Sequence, residues 1–350
     1  MNLSQILNAI FVFMAKVEYI VLSNLFNPQK ITLVYSGNSK KFNNLGTLAQ
    51  ALRRHQISFI ETTAELSLKN IYLLSRSKII LVDQTTPLLS NITLAKKSKL
   101  IQVWHAGGAF KKIAFDACNG TIKDLKRIKR IHGNTNFIVT SDKSLTSIYS
   151  SAFRIPFNCV LPFGLLRSDL YQDKKKTILS KKIVLWAPTF RTNSDRKRYC
   201  PITPEEVNFL QAKLLDKGFI LAIRLHPSLE WDTNFNALNW KDKSLLECIQ
   251  ESGTIITDYS SIIFDFSILG GRIFWYIKDK DEYSRERGVY FDPEKMFPNF
   301  VSHNTQDLIY KILSTKHENA KELREIFMGA CDGHACDRMV KFIHSLENRR

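Results

Sequence analysis

The sequence predicts an α/β chain built as two Rossmann-like halves of similar size behind an apolar N-terminal helix. Three observations predict it. Short β-branched runs alternate with helix-patterned segments, as in the strand–helix–strand units of a parallel, doubly wound sheet. The alternation pauses once, at a polar and charge-dense stretch, and then begins again. At 350 residues the chain suits two domains better than one.

The first segment, LSQILNAIFVFMAKVEYIVLSNLF (3–26), is apolar, but Lys16 and Glu18 stand in its middle. A spanning helix tolerates charge there poorly. It lacks the basic start and the small-residue cleavage site of a signal peptide. An interfacial or docking helix and an ordinary buried helix both fit it, ahead of a membrane span. After Pro28, ITLVYSG (31–37) reads as a strand ending at Gly37, LGTLAQALRRH (45–55) as a helix and ISFIE (57–61) as a strand. SKIILVD (77–83), a helix through 88–97, and KLIQVWH (99–105) follow. NFIVTSD (136–142), a helix to about Ala152, and CVLPFG (159–164) complete this half.

YQDKKKTILSKK (171–182) reads as the linker. The second half runs KIVLWAP (182–188), a helix near 204–217, FILAIRLHP (219–227), a helix near 243–251 and TIITD (254–258). SSIIFDFSILGG (260–271) is helical with a glycine stop, RIFWYI (272–277) is a strand, and the last 45 residues are helical by pattern. The expected divisions are 1–27, 28–170, 171–330, and a closing segment 331–350 that packs back on the first lobe. Two such halves suggest the two-lobed glycosyltransferase (GT-B) architecture, whose ligands bind beyond the carboxyl ends of the strands.

Composition narrows the function. Hydrophobic residues at 44% and only 10 prolines argue against disorder. Fifty Lys+Arg against 33 Asp+Glu leave a formal charge of +17, which favours phosphates, nucleic acid or an acidic membrane face. A basic surface without a partner would give the same total. No aromatic RNA-binding signature or helix-turn-helix pattern accompanies the charge, so nucleic acid is not the expected partner. The six cysteines are scattered, with no CxxC pair and no matching His spacing. That implies a reduced, cytosolic protein without a structural metal.

Polar clusters fall at the expected strand ends. WHAGGAFKK (104–112) offers His105 as a group that exchanges protons near neutral pH. Gly107 and Gly108 would let backbone approach a ligand, and Lys111 and Lys112 add charge, although a glycine turn with exposed lysines would read alike. In APTFR (187–191), Thr189 and Arg191 follow a strand, and an Arg fork there suits phosphate or a surface carboxylate equally. RLHP (224–227) pairs Arg224 with His226. In TDYSS (257–261), Asp258, Ser260 and Ser261 stand where a strand gives way to a helix N-terminus. Such a terminus favours an anion, although capping by Ser260 would also satisfy it. EYSRERGVYFD (282–292) places Arg285, Glu286 and Arg287 in a glycine-bearing loop.

Taken together, QVWHAGGAFKK, FGLLRSD, VLWAPTFR, AIRLHP, IITDYSSIIFDF, ERGVYFD and CDGHACDRMVKFI resemble the CDP-glycerol glycerophosphotransferase family of teichoic acid and capsule polyol-phosphate transferases. The motifs run in order over roughly residues 30–345. The resemblance implies that an acceptor hydroxyl attacks the β-phosphorus of CDP-glycerol or CDP-ribitol, and that CMP leaves. By motif match His105 would be the base or an acceptor-side phosphate contact, with Gly107, Gly108 and Lys111 beside it in an acceptor lobe. His226 with Arg224 would steady the pyrophosphate. Ser260 and Ser261, with Thr189 and Arg191, would cradle donor phosphates in the CDP-donor lobe. Asp258, Asp265, Arg285 and Arg287 are further carry-overs. The implied partners are a lipid-linked acceptor and an anionic membrane, with the protein peripheral on the inner face of the cell membrane. The resemblance adds no resident cofactor and leaves magnesium open. Here His105-Ala106-Gly107-Gly108 replaces the His-Gly-Thr-Pro of many members, which is closer to the primase-like and ribitol-type branch. A two-lobed glycosyltransferase using a nucleotide sugar shares the same pyrophosphate problem and is the rival reading.

Overall fold

The computed structural model describes residues 3–36, 43–84, 86–171, 182–192, 195, 197–226, 228–231 and 234–348. Gly37, Pro227 and residues 172–181 of the expected linker lie outside them. The chain divides into two compact units. The first comprises Met1–His105, Ile113–Leu170 and Ala330–Arg350, and the second Ala106–Lys112 and Tyr171–Gly329.

In the first unit the chain runs α1 (Leu3–Leu25), β1 (Lys30–Tyr35), α2 (Asn44–Arg54), β2 (Ile60–Thr63), α3 (Leu68–Ser75) and β3 (Ser77–Val82). It continues through α4 (Pro87–Ser90), β4 (Lys99–Gln102), α5 (Ile122–His132), β5 (Thr135–Val139), α6 (Thr146–Phe153) and β6 (Val160–Leu161). The strands form one parallel sheet in the order β2-β1-β3-β4-β5-β6. Alternation along β1 and β3 explains its layers, because successive side chains point to opposite faces. Ile31, Leu33, Ile79 and Leu81 join the core that holds Leu45, Leu48 and Leu52 of α2 and Met339, Val340 and Ile343 of the last helix, Ala335–Glu347. Val34, Ile80 and Val82 join the opposite core, which holds Ala15 and Tyr19 of α1 and Ile71 and Leu74 of α3. Burial on both faces is why these strands read as unbroken apolar runs.

Two expectations need correcting here. The helix expected through 88–97 stops at Ser90. The Asn134 amide donates to the Leu89 and Ile92 carbonyls at 2.7 and 2.8 Å, and its oxygen accepts from Leu94 N–H at 3.0 Å. These bonds satisfy backbone groups that a longer helix would have used. The strand expected at 57–61 begins only at Ile60.

The second unit runs β7 (Ile183–Ala187), a short antiparallel pair β8 (Arg191–Thr192) and β9 (Arg198–Tyr199), α7 (Pro204–Leu215), β10 (Ile220–Ile223), β11 (Leu238–Asn239), α8 (Leu245–Gln250) and β12 (Thr254–Thr257). Then come α9 (Ile262–Leu269), β13 (Arg272–Tyr276), α10 (Lys280–Arg287), α11 (Pro293–Met296), β14 (Val301–Ser302), α12 (Thr305–Ser314) and α13 (Ala320–Phe327). Capping boxes, Thr203 with Glu206 and Ser244 with Glu247, start α7 and α8. The parallel sheet has the order β11-β10-β7-β12-β13-β14. Its direction of growth reverses between β7 and β12, so the switch point of this Rossmann order lies there. The segment expected as a charged loop at 282–292 is helical up to Arg287 and breaks at Gly288, whose φ is +67°.

Candidate functional site

At the switch point of the second unit, Ala187 and Thr257 stand opposite each other at the carboxyl ends of β7 and β12. Asp258 follows and is buried. Its carboxylate accepts from Thr189 N–H at 3.0 Å, Thr189 Oγ1 at 2.6 Å and Tyr259 N–H at 2.6 Å, and it pairs with Arg191 Nη2 at 2.9 Å. Asp279, beyond β13, accepts from Arg191 Nε at 2.6 Å and Nη2 at 3.1 Å. Arg191 Nη1 donates to the Thr189 carbonyl at 2.8 Å. Every nitrogen of this guanidinium is therefore engaged by the protein. Burial disfavours its charge, but Asp279 and Asp258 outweigh that and hold its pKa above the ordinary value. Burial likewise pushes Asp279 up, and the Arg191 hydrogen bond and charge pull it below the usual carboxylate range.

Tyr259 and Tyr283 stack at 3.7 Å with 6° between their planes, and the Arg191 guanidinium lies 5.2 and 4.9 Å from their centroids. The network thus fixes the turn between β12 and α9. On that turn Ser260 and Ser261 are half-buried. Ser260 Oγ accepts from Ile262 N–H at a long 3.4 Å, and Ser261 makes no side-chain capping bond. The first turn of α9 is weakly capped, which suits it to an external anion.

Beside β7, the β7–β10 ladder continues through Arg224 N–H to the Trp186 carbonyl at 3.0 Å. Arg224 Nε donates to the Lys243 carbonyl at 3.4 Å. The exposed His226 accepts Ser228 N–H at Nδ1, 3.1 Å away, so its neutral ring carries the proton on Nε2. Partial burial, then the charges of Arg198 and Arg224, lower its pKa. Arg285 is exposed, donates to the Asp281 carbonyl at 3.2 Å and borders a cavity with Lys278, Lys280 and His303. Asp265 is buried in α9 and accepts from Tyr171 Oη at 3.0 Å. The Arg287 side chain lies outside the described residues.

Gly107 and Gly108 belong to this unit. A Cβ on Gly108, whose φ is +58°, would fall 2.2 Å from the Phe264 ring, and one on Gly107 would meet Met328 Sδ at 2.7 Å. The close approach assigned to a ligand from sequence is made in the structure by α9 itself. Lys111 bridges to Val289 as an isolated strand pair, and its Nζ lies 5.5 Å from the Tyr283 centroid.

His105 belongs to the first unit, beyond β4. The preceding Trp104 has φ +57°, a left-handed conformation costly for such a residue. Asn44 holds it there by donating to the Trp104 carbonyl at 2.6 Å, while accepting Arg167 N–H at 2.9 Å. Arg167 Nη1 donates to the His105 carbonyl at 3.0 Å. The ring keeps an open face, but the protein packed around it, then the Arg167 charge, lower its pKa. A hydrogen bond to the Asp83 backbone and the Asp83 charge oppose that shift. The Asp83 carboxylate in turn accepts from Ser36 Oγ at 2.6 Å. The arrangement is that of a neutral, oriented imidazole able to take a proton.

The motifs thus hold the two histidines and the α9 turn. Sequence reading missed the groups that orient them: Asn44, Asp83 and Arg167 around His105, and Asp279, Tyr259 and Tyr283 around Arg191. The available signals were that Asp83 and Asp279 each follow a strand, and that Arg167, Tyr259 and Tyr283 stand inside FGLLRSD, TDYSS and EYSRERGVYFD.

The family sequence profile for CDP-glycerol:poly(glycerophosphate) glycerophosphotransferase matches residues 19–345. The chain belongs to this family. Among curated relatives of this glycerophosphotransferase, the teichoic acid glycerol-phosphate primase of Bacillus subtilis (strain 168) is 29% identical over 80% of this chain and 76% of its own. The teichoic acid ribitol-phosphate primase of Bacillus spizizenii is 28% identical over 79% and 77%. Among solved structures, the wall teichoic acid polymerase TagF superposes with a TM-score of 0.76 at 19% identity, covering 97% of this chain and 96% of that one. This glycerophosphotransferase is accordingly an α/β enzyme of two Rossmann-like lobes of the GT-B type with an apolar N-terminal helix.

Proposed function

We propose that this glycerophosphotransferase moves glycerol phosphate or ribitol phosphate from a CDP-polyol to a hydroxyl of a lipid-linked cell-wall or capsule acceptor. The observation that carries the reading is the α9 turn at the switch point, held by the Asp258 network, with Arg224 and His226 at the carboxyl end of β10, on the other side of β7 in the same sheet. In this reading the donor pyrophosphate lies against Ser260, Ser261 and the α9 amides, with Arg224 offsetting its charge and the neutral His226 ring donating to it from Nε2. The acceptor oxygen forms a bond to the β-phosphorus and the bond from that phosphorus to the CMP oxygen breaks. The hydroxyl proton passes to His105, and CMP leaves with the bonding electron pair. Phosphoryl transfer asks mainly for positioning and charge neutralisation, and these are what the residues supply.

The same reading places the enzyme on the inner face of the cell membrane, where a lipid-linked acceptor is reached. Thr189 and Arg191 support the α9 turn through Asp258, and Arg285 is a candidate for the outer part of the donor site. Calorimetry with CDP-glycerol and CDP-ribitol tests the proposal. Replacing Ser260 and Ser261 together by alanine should weaken donor binding at least tenfold, the loss of about one charge-assisted hydrogen bond. Unchanged affinity for both donors would remove α9 from the site.

A further inference from the structure

Tyr19 and Ala15 turn one face of α1 into the first unit, and Tyr19 Oη accepts from Ala95 N–H at 3.1 Å. The opposite face is apolar and uncovered. Ile6, Ile10, Phe13, Val17 and Ile20 recur at helical spacing and are between 42% and 66% exposed. Such a stripe calls for a partner.

Lys16 leaves the flank of the same helix and lines a cavity of about 420 Å³ with Lys126, Lys129 and Arg130 of α5, beside Asn91 and Asn134. The cavity is built by hydrogen bonds, since Asn134 ties the loop after α4 to the end of α5. The ion pair on α5 is made by Arg127 and Asp124. Among the described residues none of the four cavity cations has a carboxylate partner. Lys129 and Arg130 lie in the last turn of α5, where the helix dipole opposes an anion, so attraction there comes from the side chains alone. Four uncompensated cations around one recess call for a dense anion such as a phosphodiester.

A free phosphate would satisfy the cavity and leave the stripe in water. A second copy of the chain, packed stripe to stripe, would bring like charges together. A bilayer of anionic lipid meets both demands. We propose that the recess between α1 and α5 binds the phosphodiester headgroup of an anionic phospholipid while the α1 stripe enters the acyl region. This rests on the membrane-surface reading above and gives it a headgroup site. Basic side chains and an apolar helix are the two signals that reversible anchoring generally needs.

The test uses the full chain and vesicles of phosphatidylcholine alone or mixed with phosphatidylglycerol. The wild type should prefer the mixed vesicles. A Lys126→Ser, Lys129→Ser, Arg130→Ser variant should bind them about 100-fold more weakly and bind neutral vesicles as the wild type does. Phe13→Ser should weaken binding to both. Circular dichroism confirms that the variants fold, and transfer to a soluble acceptor, which reports the catalytic reading separately, should be unchanged. A triple variant that retains the anionic preference overturns the site, as does a wild type without one. Loss of vesicle binding in millimolar inorganic phosphate, with Phe13→Ser behaving as wild type, would make the recess a free-phosphate site. A dimer in solution that masks α1 would overturn the membrane assignment.

Discussion

Asp258 receives two hydroxyl or amide donors from Thr189 and one guanidinium nitrogen from Arg191, so its carboxylate is the hub of the α9 turn. Asp258→Asn keeps the shape and loses the charge, while Arg191 retains Asp279. Because one carboxylate remains, the loss should fall below that of a fully orphaned buried charge. Denaturant unfolding should show about 1–3 kcal/mol of destabilisation, and calorimetry a weaker donor affinity. Wild-type values for both would mean that the turn does not depend on the network.

The histidines make a different prediction, about protons. His105→Ala and His226→Ala should each lower turnover about 10²–10⁴-fold with unfolding curves unchanged. Packing and neighbouring positive charge hold both imidazoles below their ordinary pKa. Each therefore stays neutral to lower pH than a free histidine. The acidic limb of kcat/KM against pH should inflect below about 6.5. An inflection above 7 that vanishes in His105→Ala would contradict the assignment.

At the scale of elements, α9 is defined as much by what lies against it as by its own sequence. Gly108→Ala should cost about 2–4 kcal/mol, combining a left-handed residue with an overpacked contact. Shortening the clashing ring by Phe264→Leu in the same chain should recover part of that loss. Equal unfolding midpoints for wild type and Gly108→Ala would show that the loop moves aside freely. The carboxyl end of α5 carries a pH signature. Burial, then the Arg127 charge, push His132 down to about 4, with its ring edge against Phe153 at 5.0 Å. A histidine depressed in the folded state binds fewer protons there than in the unfolded chain. Its contribution is intact above about 6.5 and is lost as pH falls toward 4. His132→Gln should flatten the fall in stability over that window, as measured by urea midpoints at stepped pH.

For the molecule as a whole, the last helix belongs to the core of the first unit although it is separated from it in sequence by the second. Met339, Val340 and Ile343 sit in the same apolar cluster as Leu33 and Leu81. Met339→Ala should cost about 2–5 kcal/mol and expose the first unit to proteolysis before the second. Resistance of the first unit equal to wild type would show that the helix is dispensable to it.

The chain's own pattern determined the repeated β-α alternation, because strands buried on both faces must be apolar throughout and their connections must be helical. It also marked His105, His226 and the TDYSS turn, since small and polar groups at strand ends stand out against such runs. It could not determine which groups orient them. Asn44 is 60 residues from Trp104 and Asp279 is 88 from Arg191, and nothing local records those pairings. Nor could it say that Gly108 makes room for Phe264 rather than for a ligand. A glycine shows in sequence only that space is needed, while the tertiary structure decides what fills it.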